Sequence, residues 1–152
     1  MTEPDFLPTW ERLEACYFER IAAVTAPHER WLDRFRAGAT ETARLVEEHP
    51  AQARFLAVDA LAVDEFGREK QREFAGRIAT LLDSARVELE DPDAVPAATA
   101  PWIAAIFFDR VYRRCTNPDG PPLPSQLPEL MFLAISSYFG TERGLEELAP
   151  PP

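Results

Sequence analysis

Four side chains in this sequence have the chemistry to serve as nucleophile, base or soft metal ligand: Cys16, Cys115, His28 and His49. Their spacing argues against each use. Neither histidine has a glutamate three residues before it, so the Glu-x-x-His pairs of a carboxylate-bridged dimetal centre are missing, and no CxxC pair could form half of a zinc site. There is no GxSxG elbow, no HExxH helix and no glycine-rich phosphate loop. His49 stands directly before Pro50 and reads as the C-terminal residue of a helix. The two thiols read as buried and inert, because a reactive cysteine needs an activating neighbour that their spacing does not supply. The sequence therefore assigns no catalytic residue, no metal ligand and no cofactor, and the expectation is a protein that is not an enzyme.

The elements that carry these residues are helices separated by prolines. Apolar residues recur at three and four positions, never at two, which predicts an all-α fold with six helices. The first spans about Thr9 to Val24, with Thr9 as cap and Trp10, Leu13, Tyr17 and Ile21 on one face. The second, about His28 to Glu48, presents Trp31, Leu32, Phe35, Leu45 and Val46 until Pro50 stops it. A short third, Ala51 to about Ala62, buries Phe55, Leu56, Val58 and Leu61. The fourth runs from about Asp64 to Leu89 with Phe66, Phe74, Ile78, Leu81, Leu82 and Ala85 inward. A fifth starts near Ala97, and a sixth covers about Ser125 to Phe139, capped by Ser125, with Pro128 in its first turn and Gly140 as its stop. The stretch Thr141 to Leu148 can form one more turn. Residues 149–152, Ala-Pro-Pro-Pro, are expected to fray from an otherwise single domain over residues 1–152.

The last two of these helices are apolar on more than one face, which calls for cover beyond a single core stripe and points to self-association. Sixteen Lys and Arg against 26 Asp and Glu give a net charge of −10, which opposes binding of nucleic acid by these residues. The one dense basic group, Arg110, Arg113 and Arg114, complements a helix C-terminus. An acidic start and the lack of a long apolar run predict a soluble cytoplasmic protein with no membrane partner. The aromatic residues spread over the helices fill a core or, with polar Thr42 and Asp59 near them in the pattern, line an apolar ligand pocket.

Three stretches give this layout a resemblance to a known family: Leu45 to Leu56, the long helix that ends before Asp91-Pro92-Asp93, and Leu127 to Leu133 with Tyr138-Phe139-Gly140. Together they resemble the C-terminal regulatory domain of TetR-family transcriptional regulators. The resemblance implies a homodimer in which the last two long helices of each subunit form an intersubunit four-helix bundle. It would place Ile103, Ile106, Phe107, Arg110, Arg114, Leu130, Met131, Ala134 and Tyr138 near the two-fold axis. It also implies a pocket for a small apolar effector, for which the candidates are Trp31, Phe35, Phe55, Phe74, Ile78 and Trp102. Contact with DNA would be made only through an N-terminal helix-turn-helix domain that these 152 residues do not contain. The alternatives are an effector-free structural dimerisation module and a small helical enzyme.

Overall fold

The computed structural model describes residues 3–149, and every regular element among them is helical. Helix α1 is Glu3–Thr25, α2 Trp31–Glu48, α3 Pro50–Arg54 and α4 Ala60–Val63. Helix α5 is Glu65–Asp83, α6 Thr99–Thr116, α7 Leu123–Phe139 and α8 Thr141–Leu145. A π turn over Phe55–Asp59 joins α3 to α4 in one helical run, and short 3₁₀ segments cover Ser84–Glu88, Pro92–Ala94 and Glu146–Leu148.

The first helix starts six residues earlier than its Thr9 cap predicts and runs through Pro8. Phe6 and Trp10 explain this, because both are fully buried, and Phe6 stacks on Phe55 with ring centroids 5.3 Å apart. Proline inside a helix costs about 3 kcal/mol. Burying a large apolar side chain returns about 1.5–3 kcal/mol, so two of them outweigh it.

The predicted fourth helix ends at Asp83 instead of Leu89, and Arg86 shows why. Its Nε donates to Asp83 at 2.8 Å, and its Nη atoms donate to the carbonyls of Val95 and Pro96 at 2.7 and 3.0 Å. One guanidinium thus folds the connector back on itself. Helix α7 begins at Leu123, two residues ahead of Ser125, because the buried Leu123 donates its amide to Glu47 at 2.9 Å. Ser125 does not cap; its hydroxyl donates to the Pro122 carbonyl. Pro128 consequently falls beyond the first turn, on the exposed side. Gly140, at φ 88°, does end α7. The stretch after it is helical, as α8 and a 3₁₀ turn, and packs back on α7. Of the expected frayed tail, Ala149 is exposed and Pro150 to Pro152 lie outside the described residues.

The core has two parts. Leu32, Val46, Leu82, Ile103, Leu130 and Ile135 represent one, between α2, α5, α6 and α7; Phe6, Trp10, Leu13, Phe55, Ala60 and Phe74 form the other, between α1, the π turn and α5. Helix α7 is central, packed by α2, α6 and α8, so most of its apolar surface is covered within the chain. This corrects the expected two-fold face. Ile103, Leu130, Met131, Ala134 and Tyr138 are buried in their own core, and Tyr138 donates to Asp83 at 3.0 Å. Arg114 is also turned inward, with its Nε and Nη2 on the Glu47 carboxylate at 2.9 and 2.8 Å. Ile106 and Arg110 remain at the surface, joined by Trp102 and Leu133, which are 68% and 42% exposed.

Helix α1 is clamped to α2 at Glu41, a buried carboxylate with Arg44 Nη2 at 2.6 Å and Arg20 Nη2 at 2.9 Å. Those hydrogen bonds, chiefly from Arg44, hold it down at about 2 against an ordinary 4.5. A depressed carboxylate contributes stability that is complete above pH 4.5 and is lost as pH falls towards 2. Glu41→Gln should therefore lower the urea midpoint at pH 7 and flatten its dependence on pH across that window; an unchanged acid slope would assign the acid sensitivity elsewhere.

Candidate functional site

Between the two parts of the core lies a cavity of about 230 Å³. One face of α2 runs its whole length: Trp31, Phe35, Gly38, Thr42, Leu45 and His49, at helical spacing. The wall opposite comes from Leu13 to Thr25 of α1, and the remainder from α3, the π turn, α5 with Ser84 just after it, and α6. Small residues on α2 make the room. A Cβ added at Gly38 would lie 3.6 Å from the Thr25 methyl, an ordinary contact, so the glycine leaves free the space a side chain would take.

Those rings are fixed by one another. Trp31 and Phe35 stack at 4.9 Å and 8°, and Phe35 meets Phe107 edge-on at 6.1 Å. Across the cavity Phe74 is held by Trp10, Tyr17, Phe18 and Phe108 at 5.2 to 6.0 Å. Offset and edge-on pairs of this kind are worth about 0.5–1.5 kcal/mol beyond burial, so the walls resist collapse.

Of the expected pocket residues, Trp31, Phe35, Phe74 and Ile78 line the cavity. Phe55 and Trp102 do not. Phe55 is buried against Phe6 on the far side of the π turn, and Trp102 points outward from α6. Phe107, expected at the two-fold axis, lines the cavity instead. Thr42 does so as well, whereas Asp59 faces away to pair with Arg54 at 3.4 Å.

Polar groups on the wall are few and their directions can be worked out. Thr42 Oγ1 donates to the Gly38 carbonyl at 2.8 Å, which uses its only proton. The 2.9 Å contact between Tyr17 and Thr42 is therefore donated by Tyr17, whose oxygen keeps lone pairs free to accept from a ligand. Burial raises the Tyr17 phenol to about 12, so it stays neutral. Among the described residues Arg34 is the one side chain on the wall with a fixed charge. It donates to the Glu29 carbonyl, and its Nη2 stands 3.9 Å from Glu88, a carboxylate already engaged by the Trp31 amide.

The π turn contributes Leu56 and Ala57 to the wall. Inserting an extra residue per turn rotates the following side chains, so Ala57 and Ala60 are buried and Leu61, predicted inward, is 37% exposed. It also misaligns carbonyls, and Gln71 Nε2 donates to those of Leu56 and Ala57 at 3.4 and 3.2 Å. Neither the π turn nor its glutamine support has a signature in apolar spacing. Gly38-Ala39 was the legible sign of space, two small residues amid large ones on α2.

Neither cysteine is the buried thiol expected. Cys16 is exposed at the cavity rim, and Cys115 is half-buried, its thiol pushed up by burial. His49 is the C-terminal cap of α2, its amide donating to Leu45 at 2.9 Å, and it borders the far end of the cavity. Among the described residues no three His, Cys, Asp or Glu side chains gather as a metal ion would require, and no helix is long and apolar enough to cross a membrane. No protein-family model, curated protein or solved structure matches this chain.

Two substitutions test this wall. Tyr17→Phe should cost about 1 kcal/mol in urea unfolding, the net worth of one hydrogen bond. Gln71→Leu should cost about 1–3 kcal/mol by stranding two half-buried carbonyls, and hydrogen exchange should quicken at Phe55–Asp59 while α7 stays protected. Equal acceleration in both places would mean that Gln71 supports the whole fold and not the π turn.

Proposed function

We propose that this chain is a ligand-binding, homodimeric regulatory domain of the TetR-like kind, without catalytic activity of its own. The observation that carries the reading is the cavity, an apolar space between two aromatic clusters, bordered by a few polar groups of defined direction. Ligand pockets have this composition, and a core that served only to fold would not keep such a space open. The arrangement of chemistry-bearing residues favours binding over catalysis. Tyr17 is held neutral and satisfied, the Ser84 hydroxyl is spent on the Leu81 carbonyl, and the remaining candidates are spread over two helices, Cys16 on α1 and Arg34 and His49 at opposite ends of α2.

A ligand in this space would touch α1, α2, α5 and α6 together, so binding would bias how these helices are set relative to one another. The outward side of α6, with Trp102 at 68% exposure and Ile106 at 37%, and of α7, with Leu133 at 42%, is the apolar surface that a second copy would cover. This moves the dimer face from the buried side of the two helices to their free side. In an intact regulator such a face would transmit the ligand's effect from one subunit to the other.

Two measurements check the reading. The neutral fluorophore 1-aminoanthracene should bind with one site per chain and raise the melting temperature, and Ala53→Phe, which projects a ring into the cavity, should abolish both effects while leaving the helical circular dichroism unchanged. Binding that survives Ala53→Phe would place the ligand elsewhere. By light scattering the wild type should be a dimer and Trp102→Glu with Leu133→Glu a folded monomer; a monomeric wild type at tens of micromolar would remove the dimeric part of the proposal.

A further inference from the structure

The cavity's shape and its single fixed charge narrow the class of ligand. Its lining on α2 runs from Trp31 at the first turn to His49 at the C-cap, a rise of about 27 Å at 1.5 Å per residue. The cavity volume is about 230 Å³, small for that length. Small volume over great length describes a channel, and stacked and edge-on aromatic rings wall it. A short aromatic molecule would fill only part of that length.

The polar groups are distributed along this length. Arg34, Thr25 and Ser84 border the end nearest the start of α2, Tyr17 and Thr42 the middle, and His49 and Gln52 the far end. Thr25 and Ser84 spend their hydroxyl protons on the carbonyls of Ile21 and Leu81, at 2.8 and 2.6 Å. Arg34 is thus the donor at its end with capacity to spare, because its acidic neighbour Glu88 is distant at 3.9 Å and shared with the Trp31 amide. Among the described residues no carboxylate side chain belongs to the cavity wall. In a chain of net charge −10, a cation at the end of an apolar channel, whose one acidic partner Glu88 stands 3.9 Å away and also takes the Trp31 amide, selects for an anion that carries its own hydrocarbon.

We infer that the channel takes a long unbranched monocarboxylate, a free fatty acid, with its carboxylate at Arg34 and its chain along α2 towards His49. The inference rests on the pocket reading above and adds to it the ligand's shape and head group. Arg34 fixes the carboxylate by charge-assisted hydrogen bonds, and the chain's affinity grows with the apolar surface it buries.

The test compares palmitate, octanoate, hexadecanol and 1-naphthoate on the full chain by displacement of 1-aminoanthracene, with melting temperature as a second readout. Palmitate should bind at least tenfold tighter than octanoate, since each added methylene is worth about fourfold when fully buried. Arg34→Met should weaken palmitate about tenfold and leave hexadecanol unchanged, which separates loss of the head-group contact from loss of fold. If 1-naphthoate binds as tightly as palmitate, or octanoate as tightly as palmitate, the channel inference is overturned while the pocket stands. If 1-aminoanthracene itself does not bind, the pocket reading fails first. An Arg34→Met effect equal for palmitate and hexadecanol would remove the carboxylate from the proposal.

Discussion

Ring-on-ring packing at Phe74 and at Trp31 is the constraint on which the remaining structure depends. Phe74 holds α5 against α1 and α6 through Trp10, Tyr17, Phe18 and Phe108, and Trp31 holds α2 against α7 through Tyr138 and Phe139. Aromatic side chains have few rotamers and large volumes, so two interlocked groups set the distances between helices more rigidly than aliphatic packing would. The cavity is the space between these groups, which neither can enter without giving up its own contacts. Phe35 meets Phe107 across the cavity, one turn beyond Trp31.

Charged groups then fix the angles at which the helices meet. Glu41 with Arg20 and Arg44 joins α1 to α2, and Glu47 with Arg114 and the Leu123 amide joins α2 to α6 and to the start of α7. Arg86 closes the connector between α5 and α6, and Asp83, which it binds, also accepts from Tyr138 of α7. Each of these carboxylates is partly or wholly withdrawn from water and is saturated by more than one donor. A half-satisfied buried carboxylate would destabilise, so these nodes specify one arrangement of the helices in addition to any stability they add.

One helix carries both the cavity wall and the exposed apolar face. Helix α6 gives Phe107, Phe108 and Val111 to the cavity wall while its opposite arc exposes Trp102 and Ile106. A change in how Phe107 packs therefore acts on the same rigid rod that carries the exposed face. Helices transmit small displacements along their length because their hydrogen bonds do not stretch independently, so the two faces of α6 are mechanically one.

The sequence by itself determined the helical class, the helix order and much of the inward-facing set, because periodicity near 3.6 and prolines at the boundaries are local properties of the chain. Trp31, Phe35, Phe74 and Ile78 were legible as a wall for the same reason: each lies on the apolar stripe of its own helix. What an apolar stripe faces is a property of its neighbours, and there the tertiary structure decided. It made α7 a central helix, which turned Leu130, Met131, Ala134 and Tyr138 from an expected interface into core, and it sent Trp102 outward and Phe107 into the cavity. It also placed the π turn, whose extra residue rotates Ala57 and Ala60 inward, and brought Gln71 from a distant turn to support it. Packing distance, register shift and the pairing of Arg34 depend on residues far apart along the chain, and spacing within one helix carries no information about them.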